Sequence, residues 1–241
     1  MAKIPQSPDE IYNEFIYDIK HQFNTNLVSI AVYGSGAKGE YVRKKSDINF
    51  LVVLTEDGIN KLAGAFDLVK KWNKRNVAVP LFLTRDYIET SLDSFPIEFL
   101  NMKKFHKLVH GEDILSGLEI SKQHLRLRCE EQIKGKLLHL REDFLRTLGN
   151  KKLLESLLAV TIPAFVSLFT ALLDYKDIDV PESKRDTILL TAESFSLNKE
   201  IFNRVLAVRE KSLKLSKAEL IQLTQDYIEE IRKLAKIVDK W

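Results

Sequence analysis

The stretch AVYGSGAKGEYVRKKSDINFLVVL, residues 31–54, determines the fold that we predict for this chain. An apolar run ends at Gly34-Ser35, a basic turn follows, and Ser46-Asp47-Ile48-Asn49 opens a second apolar run. This pattern predicts a strand, a glycine-rich loop that opens a short helix, and a second strand. Because glycines let backbone N–H groups approach an anion closely, the loop is a candidate phosphate-binding site.

Two polar side chains stand at the start of the second strand. Asp47 and Asn49 are two residues apart, so on a strand both would leave the same face. Their oxygen atoms are potential ligands of a hard cation. A phosphate-binding loop opposite a pair of metal ligands is what a nucleotide site needs. The rival interpretation is a tight turn followed by a capping acid.

The two motifs together resemble the signature of the DNA polymerase beta-like nucleotidyltransferase superfamily. Its minimal and kanamycin-type members read roughly G-S-x-A-R-G, a short gap, then S-D-[ILV]-D, and the gap between Gly39 and Ser46 fits without insertion. The resemblance implies binding of a nucleoside triphosphate and Mg²⁺-dependent transfer. Asp47 would be the metal ligand and a catalytic residue. The nucleotide-binding positions would be Gly34, Ser35, Lys38, Gly39, Ser46 and Asn49.

The sequence departs from this signature in its acids. The superfamily uses three carboxylates, two from the D-x-D pair and one from a later strand. Here Asn49 replaces the second acid, and the predicted strand at residues 76–84 contains no Asp or Glu. Any Mg²⁺ site would therefore be weak. The nearest acids along the sequence are Glu40, Asp57 and Asp86, of which Glu40 or Asp86 could serve as substitutes in an active enzyme.

A further candidate lies after the first domain. The segment FPIEFLNMKKFHKLVHGED, residues 95–113, is similar to the connector of aminoglycoside-modifying nucleotidyltransferases. That resemblance implies that Glu98 could serve as the catalytic base for a substrate hydroxyl. The alternative for Glu98 is a solvated helix residue.

Three functions remain open at this level. The first is a degenerate nucleotidyltransferase that retains nucleotide or phosphate binding. The second is an active Mg²⁺-dependent enzyme acting on a small molecule, RNA or protein. The third is a protein-interaction module whose helical domain forms a homodimer or binds a protein partner.

The periodicity predicts an α+β chain with a small mixed-sheet domain followed by an all-α helical bundle. We place the nucleotidyltransferase-fold domain at residues 1–93, a connector at 94–120 and the bundle at 121–241. Within the connector, Pro96–Leu108 reads as a helix, so His106 and His110 would share one helix face. Pro80 predicts that its strand lies at a sheet edge or carries a bulge.

Composition limits the remaining classes of protein. The formal net charge is +3, with 37 basic and 34 acidic residues, so nucleic acid is not indicated as a partner. The single Cys129 excludes an internal disulfide and fits a reducing cytoplasm. We find no apolar signal core and no apolar run of about 20 residues, so we expect a cytoplasmic protein without a membrane segment.

Overall fold

The computed structural model describes residues 3–241, which form two compact units. The first unit ends at Ile120 and combines a four-stranded sheet with helices. The second unit, Ser121–Trp241, is helical. The predicted α+β fold class is confirmed. Residues 94–120, which we predicted as a connector, pack within the first unit and add a strand to its sheet.

The first unit contains short helices around its four strands. The strands are β1 (Leu27–Tyr33), β2 (Asn49–Leu54), β3 (Leu81–Thr84) and β4 (His106–Gly111). The helices are α1 (Tyr12–Phe23), α2 (Glu56–Ile59), α3 (Phe66–Asn73), α4 (Arg85–Thr90) and α5 (Pro96–Lys104). Shorter 3₁₀ turns span Pro8–Ile11, Asn24–Asn26, Gly34–Gly36 and Leu62–Ala65.

The sheet has the strand order β3-β2-β1-β4. β1 pairs antiparallel with both β2 and β4, and Tyr33 at its end lies opposite Asn49 at the start of β2. β3 runs parallel to β2 and begins at Leu81, directly after Pro80. Its position at the sheet edge confirms the prediction made from this proline, because proline cannot donate to an inner ladder.

Both faces of the sheet are covered, which explains the nearly continuous apolar sequence of β1 and β2. On one face, Phe15 of α1 stacks on Phe50 with ring centroids 3.8 Å apart, and both side chains are fully buried. On the other face, Leu51 and Val53 belong to a core cluster that includes Phe99 of α5. The second strand is therefore fixed from two sides.

The predicted helix Pro96–Leu108 was wrong beyond Lys104. α5 ends there, and the chain enters β4, which pairs with β1. The strand has the sequence HKLVHG, which contains only one β-branched residue and no clear alternation. Its strand conformation depends on pairing with β1 instead of on local propensity.

The second unit consists of six helices. They are α6 (Lys122–Arg146), α7 (Lys151–Ala164), α8 (Val166–Tyr175), α9 (Lys184–Ser194), α10 (Lys199–Arg209) and α11 (Lys217–Val238). One side of α6 is buried, and Leu148 after its end is 90% exposed; the buried side chains are Leu125, Cys129, Ile133, Leu137 and Leu140. Pro163 lies near the end of α7, and a break at Phe165 separates α7 from α8.

The helical stretch Lys151–Tyr175 is long and apolar enough to cross a membrane by length and composition alone. Our expectation that no apolar run reaches this length was therefore wrong. Most of the stretch is buried inside the second unit, and Leu158, Phe169 and Leu172 are fully buried. This burial is the pattern of a core helix in a helical bundle.

One buried carboxylate connects two helices of this unit. Glu230 of α11 is only 2% exposed. Its Oε2 accepts a hydrogen bond from the backbone N–H of Asn198 at 2.7 Å, and its Oε1 accepts from Lys233 at 2.6 Å. Asn198 is the N-cap residue of α10. Glu230 therefore fixes the start of α10 against α11.

We expect Glu230→Ala to lower the free energy of unfolding by about 2 kcal/mol, because the N–H of Asn198 loses its hydrogen bond to a buried, charged acceptor. Urea denaturation of the full chain, followed by circular dichroism, measures this change. The matched control is Glu229→Ala, since Glu229 makes a surface ion pair with Arg232. The control should lose less than about 0.5 kcal/mol. Equal losses in the two variants would contradict the role of Glu230.

Candidate functional site

The glycine loop begins where β1 ends. Gly34 has a φ of 70°, a backbone conformation that residues other than glycine rarely adopt. Its N–H donates a hydrogen bond to the carbonyl of Phe105 at 3.1 Å. Its own carbonyl accepts from the N–H groups of Ala37 at 3.0 Å and Lys38 at 3.1 Å. A Cβ at Gly34 would lie 3.8 Å from Nδ2 of Asn49, so the Asn49 side chain lies against the loop.

The side chain of Lys38 lies on an aromatic ring. Its Nζ is 3.3 Å from the centroid of Phe105, a cation–π geometry. Phe105 therefore contacts the loop twice, through its carbonyl to Gly34 and through its ring to Lys38. Sequence reasoning did not select Phe105, because no local pattern indicates that the residue between α5 and β4 meets a loop about seventy positions earlier.

The segment before β2 is held by Ser46 and Asn76. The Ser46 hydroxyl accepts from the N–H of Val42 at 3.1 Å, so this predicted nucleotide-binding residue also closes its own turn. Asn76 donates from its side chain to the Ser46 carbonyl at 2.7 Å, and its own carbonyl accepts from the N–H of Ile48 at 3.0 Å. Asp47 lies between these two anchored peptides. Asn76, with a φ of 65°, is a positioning residue that the sequence analysis missed.

Asp47 is exposed, whereas Asn49 is half-buried in the first position of β2. The neighbouring segment carries Ala78, Val79 and Pro80 and no acid, and Val79 is 64% exposed. This segment is irregular, because Val77 pairs with Ile48 but Leu81 pairs with Leu51. The four residue steps from Val77 to Leu81 therefore lie opposite the three steps from Ile48 to Leu51.

Asp57 and Asp86 do not lie near Asp47, although their closeness along the sequence suggested that they would. Asp57 follows the end of β2, and Asp86 follows Thr84, which pairs with Leu54 at that same end. Asp47 precedes the opposite end, and the six-residue strand between them is about 20 Å long. Neither acid can share a metal ion with Asp47.

The remaining candidates are Glu40 and Glu98, both half-buried. Glu40 follows the loop, and its N–H bonds the carbonyl of Ser35 at 3.1 Å. Glu98 lies in the first turn of α5. Among residues 3–241, no three His, Cys, Asp or Glu side chains form a group that could hold a metal ion. This donor set does not fit the Mg²⁺ site of the superfamily, which needs clustered carboxylates.

His106 supports the chain next to Phe105. Its Nδ1 lies 3.0 Å from the Met102 carbonyl, and its Nε2 lies 3.0 Å from Asp113, so both ring nitrogens meet acceptors. Burial alone would raise the pKa of Asp113, but hydrogen bonds from Ser116 and His106 outweigh it and lower that pKa. His106 and His110 lie on β4, not on a helix, and His106 has a structural role.

A cleft of about 270 Å³ borders the glycine loop on the side of α1. Gly36, Ala37 and Gly39 line it, together with Tyr12 and Lys107. Gly39 is exposed and has a φ of 74° with open space around its Cα. The cleft therefore offers loop backbone, an aromatic ring and a cation to a ligand.

We expect Asn76→Ala to destabilise the chain by about 2 kcal/mol, from the lost bond to Ser46 and from the positive φ. Asn76→Gly removes the same bond without the φ penalty, so it should cost about half as much. Urea denaturation measures both variants. An Asn76→Ala variant as stable as the natural chain would show that Asn76 does not hold the segment of Asp47.

No protein-family model matches the chain, and no curated protein matches its sequence. Among solved structures, it is similar to the crystal structure of spectinomycin adenyltransferase AAD(9) from Enterococcus faecialis with ATP and spectinomycin. The TM-score is 0.56 at 14% identity, and the match covers 92% of this chain and 99% of that chain. This likeness shows that the chain has the fold of a nucleotidyltransferase.

Proposed function

We propose that this chain is a nucleotidyltransferase-superfamily protein that binds a nucleoside triphosphate, or another phosphate-bearing ligand, and no longer transfers a nucleotide. The proposal combines the glycine motif, the fold and the composition of the site. The structurally similar adenyltransferase was solved with ATP. Assignment to the kanamycin-type members and a cytoplasmic location remain predictions from the sequence.

The observation that carries the proposal is the loss of acids around Asp47. By the resemblance to the superfamily signature, Asn49, which lies against Gly34, takes the place of the second carboxylate, and residues 76–84 supply no third one. Mg²⁺ in such sites neutralises the triphosphate and aligns the attacking group. With one exposed carboxylate, the site would bind Mg²⁺ weakly and would not hold two ions.

Ligand binding is supported by the parts of the site that remain. Ser35 and Gly39 belong to the loop, and Lys38 provides a positive charge within it. A cation–π contact at an exposed site is worth about 0.5–1 kcal/mol, so a triphosphate could compete with Phe105 for Lys38. In this proposal, Asn49 donates its amide hydrogens to the ligand where a carboxylate would hold a metal ion.

Calorimetric titration with ATP, GTP, CTP and UTP, each with and without Mg²⁺, tests this proposal. We expect binding of at least one nucleotide with an affinity that changes less than about threefold when Mg²⁺ is added. Asn49→Asp should weaken binding without Mg²⁺, because a carboxylate repels the phosphates, and should make binding depend on Mg²⁺. Lys38→Ala should weaken binding in both conditions.

Two outcomes would contradict the proposal. Nucleotide transfer by the natural chain, lost in Asp47→Ala, would identify an active enzyme. Absence of binding to all four nucleotides would exclude the nucleotide function. The matched control is Lys240→Ala, which removes one exposed charge at the end of the second unit.

A second candidate function is self-association through the second unit. Four apolar side chains around the turn between α6 and α7 are largely exposed: Leu145 at 72%, Leu148 at 90%, Leu153 at 50% and Val160 at 66%. Leu153 and Val160 line a groove of about 270 Å³. An exposed apolar patch of this kind is typical of an interaction surface.

A second copy of this chain fits the patch best, because its rim carries charges of both signs. Asp143 and Arg146 border the groove and pair with each other at 2.8 Å. A twofold axis brings identical patches together, so each acid can meet the partner's base. A partner surface that carries charges of only one sign would place a like charge opposite either Asp143 or Arg146.

We expect a dimer in light scattering at protein concentrations of about 100 µM. Leu145→Lys combined with Leu148→Lys should give a monomer, because four added charges cannot be buried at a twofold interface. Tyr17→Lys, which changes a 68% exposed residue of the first unit, is the control and should leave the dimer intact. A natural chain that is monomeric at this concentration would rule out self-association through this patch.

A further inference from the structure

A cavity in the second unit lies outside every site described above. It has a volume of about 330 Å³ and is bounded by α7, by the end of α10 and by the segment that follows α10. Its size falls at the lower end of the range of small-molecule sites. All of its lining residues belong to the second unit.

Three cations and one acid surround this cavity: Arg209, Lys211, Lys214 and Glu155. Among residues 3–241, none of these four side chains makes a hydrogen bond or an ion pair with another residue. The neighbouring Glu210 does not compensate them, because it pairs with Arg185 at 2.9 Å. The cavity therefore carries three positive charges against one negative charge. Like charges held together favour binding of an anion between them.

The cations are not needed to cap α10. The N–H of Lys211 bonds the Val208 carbonyl at 3.1 Å, and the N–H of Ser212 bonds the Ala207 carbonyl at 3.0 Å. This is the Schellman arrangement, in which backbone groups satisfy the last carbonyls of a helix. The charged side chains remain available to a ligand.

Lys211 occupies a position where glycine is strongly preferred. Its φ is 59°, the left-handed conformation of the residue that follows a helix in this motif. A lysine here costs stability relative to glycine. The chain therefore keeps a cation at the edge of the cavity at a position where the backbone disfavours it.

The rest of the lining includes Ala159, Val208 and Leu213, which are apolar, and the hydroxyl-bearing Ser156. Val208 is 7% exposed and belongs to the packed interior. A bare inorganic anion would contact the cations but leave these apolar side chains uncovered. The lining suits a ligand with a charged head and a compact apolar body.

We propose that this cavity binds a small organic phosphate, with the phosphate group between Arg209, Lys211 and Lys214 and the organic part against Val208 and Leu213. A phosphomonoester carries up to two negative charges near neutral pH, which matches the excess of two positive charges. This site is separate from the glycine loop and does not depend on the function proposed for that loop.

Calorimetric titration of the full chain with phenyl phosphate, inorganic phosphate and benzyl alcohol tests the proposal at about 0.1 M salt. We expect phenyl phosphate to bind roughly tenfold more tightly than inorganic phosphate, because its ring covers apolar surface. Benzyl alcohol, which has the ring without the charge, should not bind measurably. Equal binding of the two phosphates would refute the organic ligand.

Lys211→Gly is the decisive variant. It removes the cation but supplies the residue that the backbone prefers, so the melting temperature should rise by about 2 °C. Binding of phenyl phosphate should nevertheless weaken about fivefold, and further in combination with Lys214→Ala. Lys240→Ala, which changes an exposed residue after the end of α11 that does not line the cavity, is the charge-matched control and should bind as the natural chain does.

A Lys38→Ala variant separates this cavity from the glycine loop, because the binding of phenyl phosphate that Lys211→Gly weakens should persist in it. Loss of binding in Lys38→Ala but not in Lys211→Gly would place the probe at the loop and overturn the proposal. Tighter binding of a twelve-residue single-stranded oligonucleotide, with strong salt dependence, would also overturn it in favour of a polyanion surface.

Discussion

The first unit depends on the register in which β1 pairs with β2. With Tyr33 opposite Asn49, the glycine turn follows β1 at the point where the polar segment enters β2. In the same register, the side chain of Phe50 lies on the face covered by α1, and that of Leu51 lies on the face covered by α5. A slip of one residue would exchange the two faces and bury Asn49 in one of the cores. The core therefore fixes the site, because burial on both faces allows only one pairing.

The candidate site is held together without a cluster of acids, because among residues 3–241 no three His, Cys, Asp or Glu side chains form a group that could hold a metal ion. Three clustered carboxylates repel one another, and a metal-binding site normally needs the cation to offset this repulsion. Here, hydrogen bonds and one cation–π contact hold the segments of the site: the side chain of Asn76 on Ser46, and Phe105 on Gly34 and Lys38. The loop is thus preformed by hydrogen bonds and one aromatic contact.

Sequence patterns predicted the features that local chemistry determines. Periodicity and the special backbone preferences of proline and glycine predict the strand–loop–strand at residues 31–54, the edge position after Pro80 and most of the helices. β4 was missed because its strand conformation arises from pairing with β1. Asp57 and Asp86 were misjudged because closeness along the chain does not say which end of a strand a residue occupies. The contacts of Asn76 and Phe105 join distant segments, so no local pattern indicates them.

The candidate sites in the two units differ in the charged groups that they offer to a ligand, so we expect them to bind different ligands. At the glycine loop, one cation is already engaged by an aromatic ring, so an incoming phosphate must replace that contact. In the cavity beside α10, the three cations make no hydrogen bond or ion pair with another of residues 3–241, and a bound anion would relieve the repulsion between them. The first site would therefore select through the shape and backbone of the loop. The second would select through charge and a small apolar wall, so a compact phosphate can bind there without competing for the loop.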